Sequence, residues 1–111
     1  MTRGQERCLT VWSMDDFQKL YERLAAAPLT VKGARDYSRM LFAAASNEVP
    51  DKQGRISIPS VLREYASLDK DVMVIGAMDR IEIWDPASWR SYSEEQEQKF
   101  SEISDEVFPG I

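Results

Sequence analysis

The stretch Asp51-Lys52-Gln53-Gly54-Arg55-Ile56-Ser57-Ile58-Pro59 joins a charged turn directly to a short alternating segment. Asp51, Lys52 and Gly54 are turn residues, and Gly54 can take the positive φ that a tight reversal often needs. A strand is expected next, because Ile56 and Ile58 fall on one face of a period-two repeat while Arg55 and Ser57 fall on the other. Arg55 then stands at the root of a rigid element and points away from the core. After Pro59, a short helical stretch is expected to turn Val61, Leu62 and Tyr65 inward and Arg63 and Glu64 outward. A D-x-x-x-R spacing by itself fits an ordinary solvated turn; its context sets this one apart.

Two other segments of the chain repeat one another. Gly4 to Phe17 reads G-Q-E-R-C-L-T-V-W-S-M-D-D-F, and Gly76 to Trp89 reads G-A-M-D-R-I-E-I-W-D-P-A-S-W. At a constant offset of 72 residues, Gly4 falls on Gly76, Leu9 on Ile81, Val11 on Ile83, Trp12 on Trp84 and Phe17 on Trp89. Matched Gly, Trp and aromatic positions without a gap identify a duplicated unit. Each copy has a glycine turn, an alternating strand ending in tryptophan, and a helix opened by a capping residue. Ser13 caps the first helix, with Asp15 and Asp16 near its positive end and Phe17, Leu20, Tyr21 and Leu24 forming its apolar stripe. Asp85 caps the second, with Pro86 at the first helical position. Both helices are expected to pack an aromatic face onto a sheet, with Trp12 and Trp84 in the core rather than stacked on a ligand.

Between the copies, Pro28 ends the first helix, and Lys32 to Ala45 is expected to form another with Tyr37, Met40, Leu41 and Ala44 on one side. Asn47 to Pro50 breaks that helix before the turn. Asp71 to Ile75 is apolar on successive residues and reads as a strand buried on both faces.

Composition excludes several functions. With 111 residues and 43% hydrophobic content, the chain is the size of one modest domain or two very small units sharing a core. No run of about eighteen apolar residues is present and the first residues lack a signal-peptide core, so a cytoplasmic protein without a membrane partner is expected. The single cysteine, Cys8, cannot form an internal disulfide, and there is no histidine to serve as metal ligand or general base. No glycine-rich phosphate loop, metal-ligand cluster or nucleophile–base pair is evident, so neither an enzyme, a cofactor nor a small-molecule substrate is expected. The net charge of −5 counts against nucleic acid. The signs are segregated along the chain, however, with Lys52, Arg55 and Arg63 near the turn and Glu94, Glu95, Glu97, Glu102, Asp105 and Glu106 near the end.

The D-x-x-x-R turn followed by I-S-I-P-S-V-L-R-E-Y resembles the signature of the MraZ family, bacterial regulators built on an AbrB-like swapped-hairpin fold. The resemblance extends over nearly the whole chain through the repeat. It implies an α+β fold of tandem AbrB-like swapped-hairpin β-barrel units with flanking helices. Residues 1–46 would be a first half and residues 47–111 a second. The counterpart of Arg55 in the first half would fall before Met1, so the sequence is expected to begin inside that half. Its sheet would then show an unpaired edge and uncovered apolar faces on Leu9 and Val11.

The resemblance further implies that Arg55 contacts DNA, by forking two donors onto guanine O6 and N7 or by gripping a phosphate. Lys52 and Arg63 become phosphate contacts, and Asp51 orders the turn through backbone hydrogen bonds or an ion pair with Arg55. For Arg63 a helix-surface ion pair is an equal alternative. The implied protein is a transcriptional regulator, a repressor of the division and cell-wall gene cluster and of its own operon, located in the cytoplasm on the nucleoid. Its implied partners are promoter DNA with short direct repeats and further copies of itself in a ring-shaped homo-oligomer, since weak modules gain avidity when linked. A competing reading is an oligomeric scaffold that never meets DNA, and a third is an antitoxin-like member of the same fold class.

Overall fold

The computed structural model describes residues 1–110. The chain is an α+β fold around a four-stranded antiparallel sheet in the order β1-β2-β4-β3, formed by β1 (Thr2–Arg3), β2 (Leu9–Val11), β3 (Met73–Ala77) and β4 (Arg80–Trp84). The helices are α1 (Met14–Ala25), α2 (Lys32–Ala43), α3 (Ser60–Tyr65) and α4 (Pro86–Val107). Among the described residues the sheet is open, with β1 and β3 at its edges.

The duplicated segments meet at its centre. β2 and β4 pair antiparallel, with Leu9 opposite Ile83, Thr10 opposite Glu82 and Val11 opposite Ile81. Thr10 and Glu82 are repeat equivalents, so the pair they form marks a local two-fold relating the copies. The hairpins flanking this pair differ. In the second copy, Ala77 pairs with Arg80 across the two-residue loop Met78-Asp79, with Met78 at φ 58°. In the first, Gly4 N–H donates to Cys8 O at 2.7 Å across the longer loop Gln5–Arg7, where Glu6 and Arg7 both take positive φ. The extra loop residue shifts the register by one, so Arg3 faces Leu9 although its equivalent, Ile75, faces Glu82. A one-residue slip changes which side chains share a face.

One side of the sheet carries the core: Leu9, Ile83, Leu62, Ala66 and Ala44 are buried together, with Met1, Val11, Ile58, Tyr65 and Leu68 packed around them. The other side carries the aromatic cluster of Trp84, Trp89 and Tyr92, with Trp84 4.9 Å from Tyr92 and 5.3 Å from Trp89 between ring centroids. Both predicted caps are present. Ser13 Oγ accepts from Asp16 N–H at 3.1 Å and Asp85 Oδ2 accepts from Ser88 N–H at 3.0 Å, with Pro86 opening α4.

Several expectations from the sequence are corrected. Leu9 and Val11 do not form an uncovered edge: β1 pairs with one side of β2 and β4 with the other, Leu9 is fully buried and Val11 half-buried. The segment from Arg55 to Ile58 is not a strand, because among the described residues no other segment supplies it with a ladder. Only Ile58 of its two isoleucines reaches the core. The apolar run before Gly76 is not buried on both faces. From Met73 it forms edge strand β3, which leaves Met73 and Val74 exposed because only β4 flanks it, and Val72 lies exposed just before the strand. On α3, Val61 is exposed and Leu62 alone is buried, since six residues make too short a helix to turn a broad face inward. α2 ends at Ala43, and Tyr37 and Met40 lie exposed while Leu41 and Ala44 are buried. Finally, α1 presents Phe17 and Tyr21 to Phe42 rather than to the sheet, at centroid distances of 5.8 and 5.9 Å.

Candidate nucleic-acid interface

The Asp51–Arg55 turn is closed by its own backbone. Asp51 N–H donates to Arg55 O at 2.9 Å, and Gly54 N–H donates to Asp51 O at 3.0 Å. Gly54 sits at φ 77°, where a Cβ is strained, so the glycine is a backbone requirement. The Asp51 carboxylate organises the rest. Its Oδ1 accepts from Gln53 N–H at 2.9 Å and from Arg55 N–H at 2.8 Å, and its Oδ2 accepts from Arg55 Nε at 3.0 Å. The Arg55 backbone N–H does most to hold the carboxyl below its ordinary range; desolvation opposes it, and the Arg55 side chain and Gln53 N–H add to the lowering.

Asp51 therefore orders the turn both through the backbone and through an ion pair with Arg55. Gln53, which the sequence did not single out, completes the arrangement: its Oε1 accepts from Arg55 Nη2 at 3.2 Å. A guanidinium has five N–H donors. Here Asp51 holds the Nε–H and Gln53 one hydrogen of Nη2, and among the described residues Nη1 and the rest of Nη2 have no partner. The side chain is oriented yet 73% exposed. A guanidinium held on its Nε edge with its outer end free can grip two adjacent acceptors without first losing its rotamer freedom.

The other predicted residues are not joined to this arrangement. Lys52 is exposed in the turn, and Arg63 is exposed on the last turn of α3. Among the described residues neither makes a side-chain hydrogen bond or an ion pair, so the surface ion pair considered for Arg63 does not form. α3 follows the turn directly and is fixed by Leu62. This ties the turn to the core through Ile58, Pro59 and the first turn of a helix.

A second cationic group escaped the sequence reading. Arg3 and Arg7 both lie over the Tyr65 ring, with guanidinium carbons 5.6 and 5.0 Å from its centroid, and the Tyr65 hydroxyl donates to Gly4 O at 2.6 Å. Nothing local signals this, because Arg3 and Arg7 lie at the start of the chain and Tyr65 at the end of α3. No group of three or more Asp, Glu or Cys that could hold a metal ion occurs among the described residues. No described helix is long and apolar enough to cross a membrane.

The family described as "MraZ protein, putative antitoxin-like" matches residues 1–40 and 41–109. Curated proteins named "Transcriptional regulator MraZ" align over all 111 residues. The protein of Kocuria rhizophila is 55% identical, that of Thermobifida fusca 54% and that of Micrococcus luteus 53%, and in each case the chain covers 78% of the relative's length. These relatives are named as regulators and not as enzymes. The chain belongs to the MraZ family.

Proposed function

We propose that this chain is a sequence-specific DNA-binding transcriptional regulator that meets promoter DNA through the Asp51–Arg55 turn. The observation that carries the reading is the state of Arg55, fixed by Asp51 and Gln53 on one edge and open to solvent on the other. Arg55 is the base-reading residue, its free donors matched to guanine O6 and N7. Lys52 and Arg63 neutralise phosphates, and Asp51 contributes by holding the turn. The finer reading is a repressor of the division and cell-wall gene cluster and of its own operon, working on the nucleoid. In it, residues 1–46 and 47–111 are the two AbrB-like halves. The local two-fold through Thr10 and Glu82 supports two related halves. One turn per chain makes few contacts, so affinity for short direct repeats comes from several copies acting together.

Fluorescence anisotropy against DNA from immediately upstream of the gene tests this. The parent chain should bind saturably, with affinity falling steeply as salt rises, and Arg55→Ala should lose specific binding while keeping its assembly state. Binding unchanged in the variant at matched salt would remove the assignment. The competing reading, a scaffold without DNA function, is favoured by the exposed apolar residues of α4. It predicts self-association with little salt dependence and no saturable DNA binding.

A further inference from the structure

The hairpin between β1 and β2 carries a charge that its repeat does not. At the offset of 72 residues, Arg3 and Arg7 fall on Ile75 and Asp79, so duplication alone did not place arginine at either position. The Tyr65 hydroxyl clamps this hairpin to α3 through Gly4 O, and the ring so fixed holds the Arg7 guanidinium carbon 5.0 Å from its centroid. The two cations on that ring have different surroundings. Arg3 is half-buried and donates from Nη1 to Met40 O at 2.7 Å. Arg7 is exposed, and among the described residues its side chain makes no hydrogen bond or ion pair. In a chain with 19 Asp and Glu, two neighbouring guanidiniums without a carboxylate partner leave a place for an anion from outside.

The backbone adds a second observation. Arg7 sits at φ 62°, next to Glu6 at φ 55°. Glycine and asparagine take this left-handed conformation more readily than arginine, so the side chain is held there against backbone preference. Strain of this kind collects at ligand-binding positions.

We propose, on the reading that the Asp51–Arg55 turn meets DNA, that Arg7 grips a backbone phosphate of the same duplex. α3 is the link between the two places. Arg63, exposed on its last turn, lies two residues before Tyr65, and the turn leads into its start. Four intervening residues and the six-residue helix separate Arg55 from Tyr65 by at most about 25 Å between Cα atoms. One turn of B-DNA spans about 34 Å, so the phosphate lies within one turn of the guanine read by Arg55. Arg7 offers paired donors to phosphate oxygens. Tyr65 is the positioning residue, restricting the side chain before DNA arrives. A phosphate contact carries no sequence information, so Arg7 strengthens binding to every duplex alike.

Anisotropy titrations over a salt series test this with promoter DNA and an unrelated duplex. Arg7→Asn removes the cation with a residue that accepts the left-handed backbone, so its melting temperature should hold or rise slightly. Its affinity should fall about tenfold for both DNAs, and the slope of log affinity against log salt should become shallower by about one. Arg7→Lys should keep the parent slope, because the charge is retained. Arg55→Ala, run alongside, should lose the preference for promoter DNA. Parent-like affinity and slope in Arg7→Asn, beside an Arg55→Ala that has lost its preference, would overturn the proposal and leave the reading of the turn intact. Loss in Arg7→Asn with none in Arg55→Ala would keep the phosphate contact and remove that reading. A lowered melting temperature with an unchanged slope would show a merely structural role and overturn the proposal. A parent without saturable binding would overturn both.

Discussion

Leu62→Ala tests how the candidate interface is anchored. Leu62 is the only buried residue of α3, has 0% of its surface exposed, and contributes to a core whose other members include Ala44 and Ala66. Alanines have no side chain that could swing into the space left behind, so relaxation around the site should be limited. Leucine-to-alanine changes in cores cost about 2–5 kcal/mol, and poor relaxation places this one in the upper half of that range. A domain of this size has a total stability of about 5–15 kcal/mol, so a large share would be lost. In urea denaturation the midpoint should fall sharply at constant slope, and the melting temperature should drop by roughly 10–20 °C. Val61→Ala, one residue away and 44% exposed, is the control and should cost less than about 1 kcal/mol. Because α3 ties the turn to the core, Leu62→Ala should also weaken DNA binding at temperatures where the variant remains folded. The reasoning fails if Leu62→Ala shifts the midpoint no more than Val61→Ala.

The repeat-equivalent glycines should respond differently to alanine. A Cβ on Gly4 would lie 2.7 Å from Thr10 Oγ1 and 3.0 Å from the Cys8 backbone oxygen, whereas one on Gly76 meets nothing within 4 Å. Gly4→Ala should cost about 1–3 kcal/mol by chemical denaturation and Gly76→Ala close to nothing. The Asp51 carboxyl is held below its ordinary value of 3.8, so its contribution to turn stability is complete above that pH and lost as pH falls through its lower folded value. The Gln53 and Arg55 amide resonances should move in that acidic window in the parent and not in Asp51→Ala. Burial, aided by Glu82 and Glu6, pushes the Cys8 thiol up to about 11. Alkylation at pH 8 should therefore be slow in the folded chain and fast in urea, and equal rates would refute the burial.

What the sequence disclosed was mostly local or periodic. The caps at Ser13 and Asp85 and the turn at Gly54 show in short spacings, the duplicated strands in a constant offset, and each appears as expected. The ion pair of Asp51 and Arg55 was legible because a four-residue separation across a tight turn brings the two side chains together. Errors arose where pairing partners decide the outcome. Ile56 and Ile58 alternate as a strand does, but alternation cannot supply a pairing strand, and among the described residues none pairs with them. The apolar run at Val72 to Ile75 reads as interior, although its edge position in the sheet leaves much of it open. Gln53 was missed because a glutamine in a turn has no spacing of its own. Its importance depends on where Arg55 is held. The Arg3–Tyr65–Arg7 stack joins residues about sixty positions apart, beyond the reach of any local pattern.

The central claim, that Arg55 reads guanine from the Asp51–Arg55 turn, is tested most directly by anisotropy titration with promoter DNA and the same DNA carrying 7-deazaguanine, which lacks the N7 acceptor. The parent chain should lose about 1–3 kcal/mol of affinity at the contacted guanine, and Arg55→Ala should bind both DNAs equally and weakly. Equal affinity of the parent chain for the two DNAs, or the same loss in Arg55→Ala, would contradict the claim.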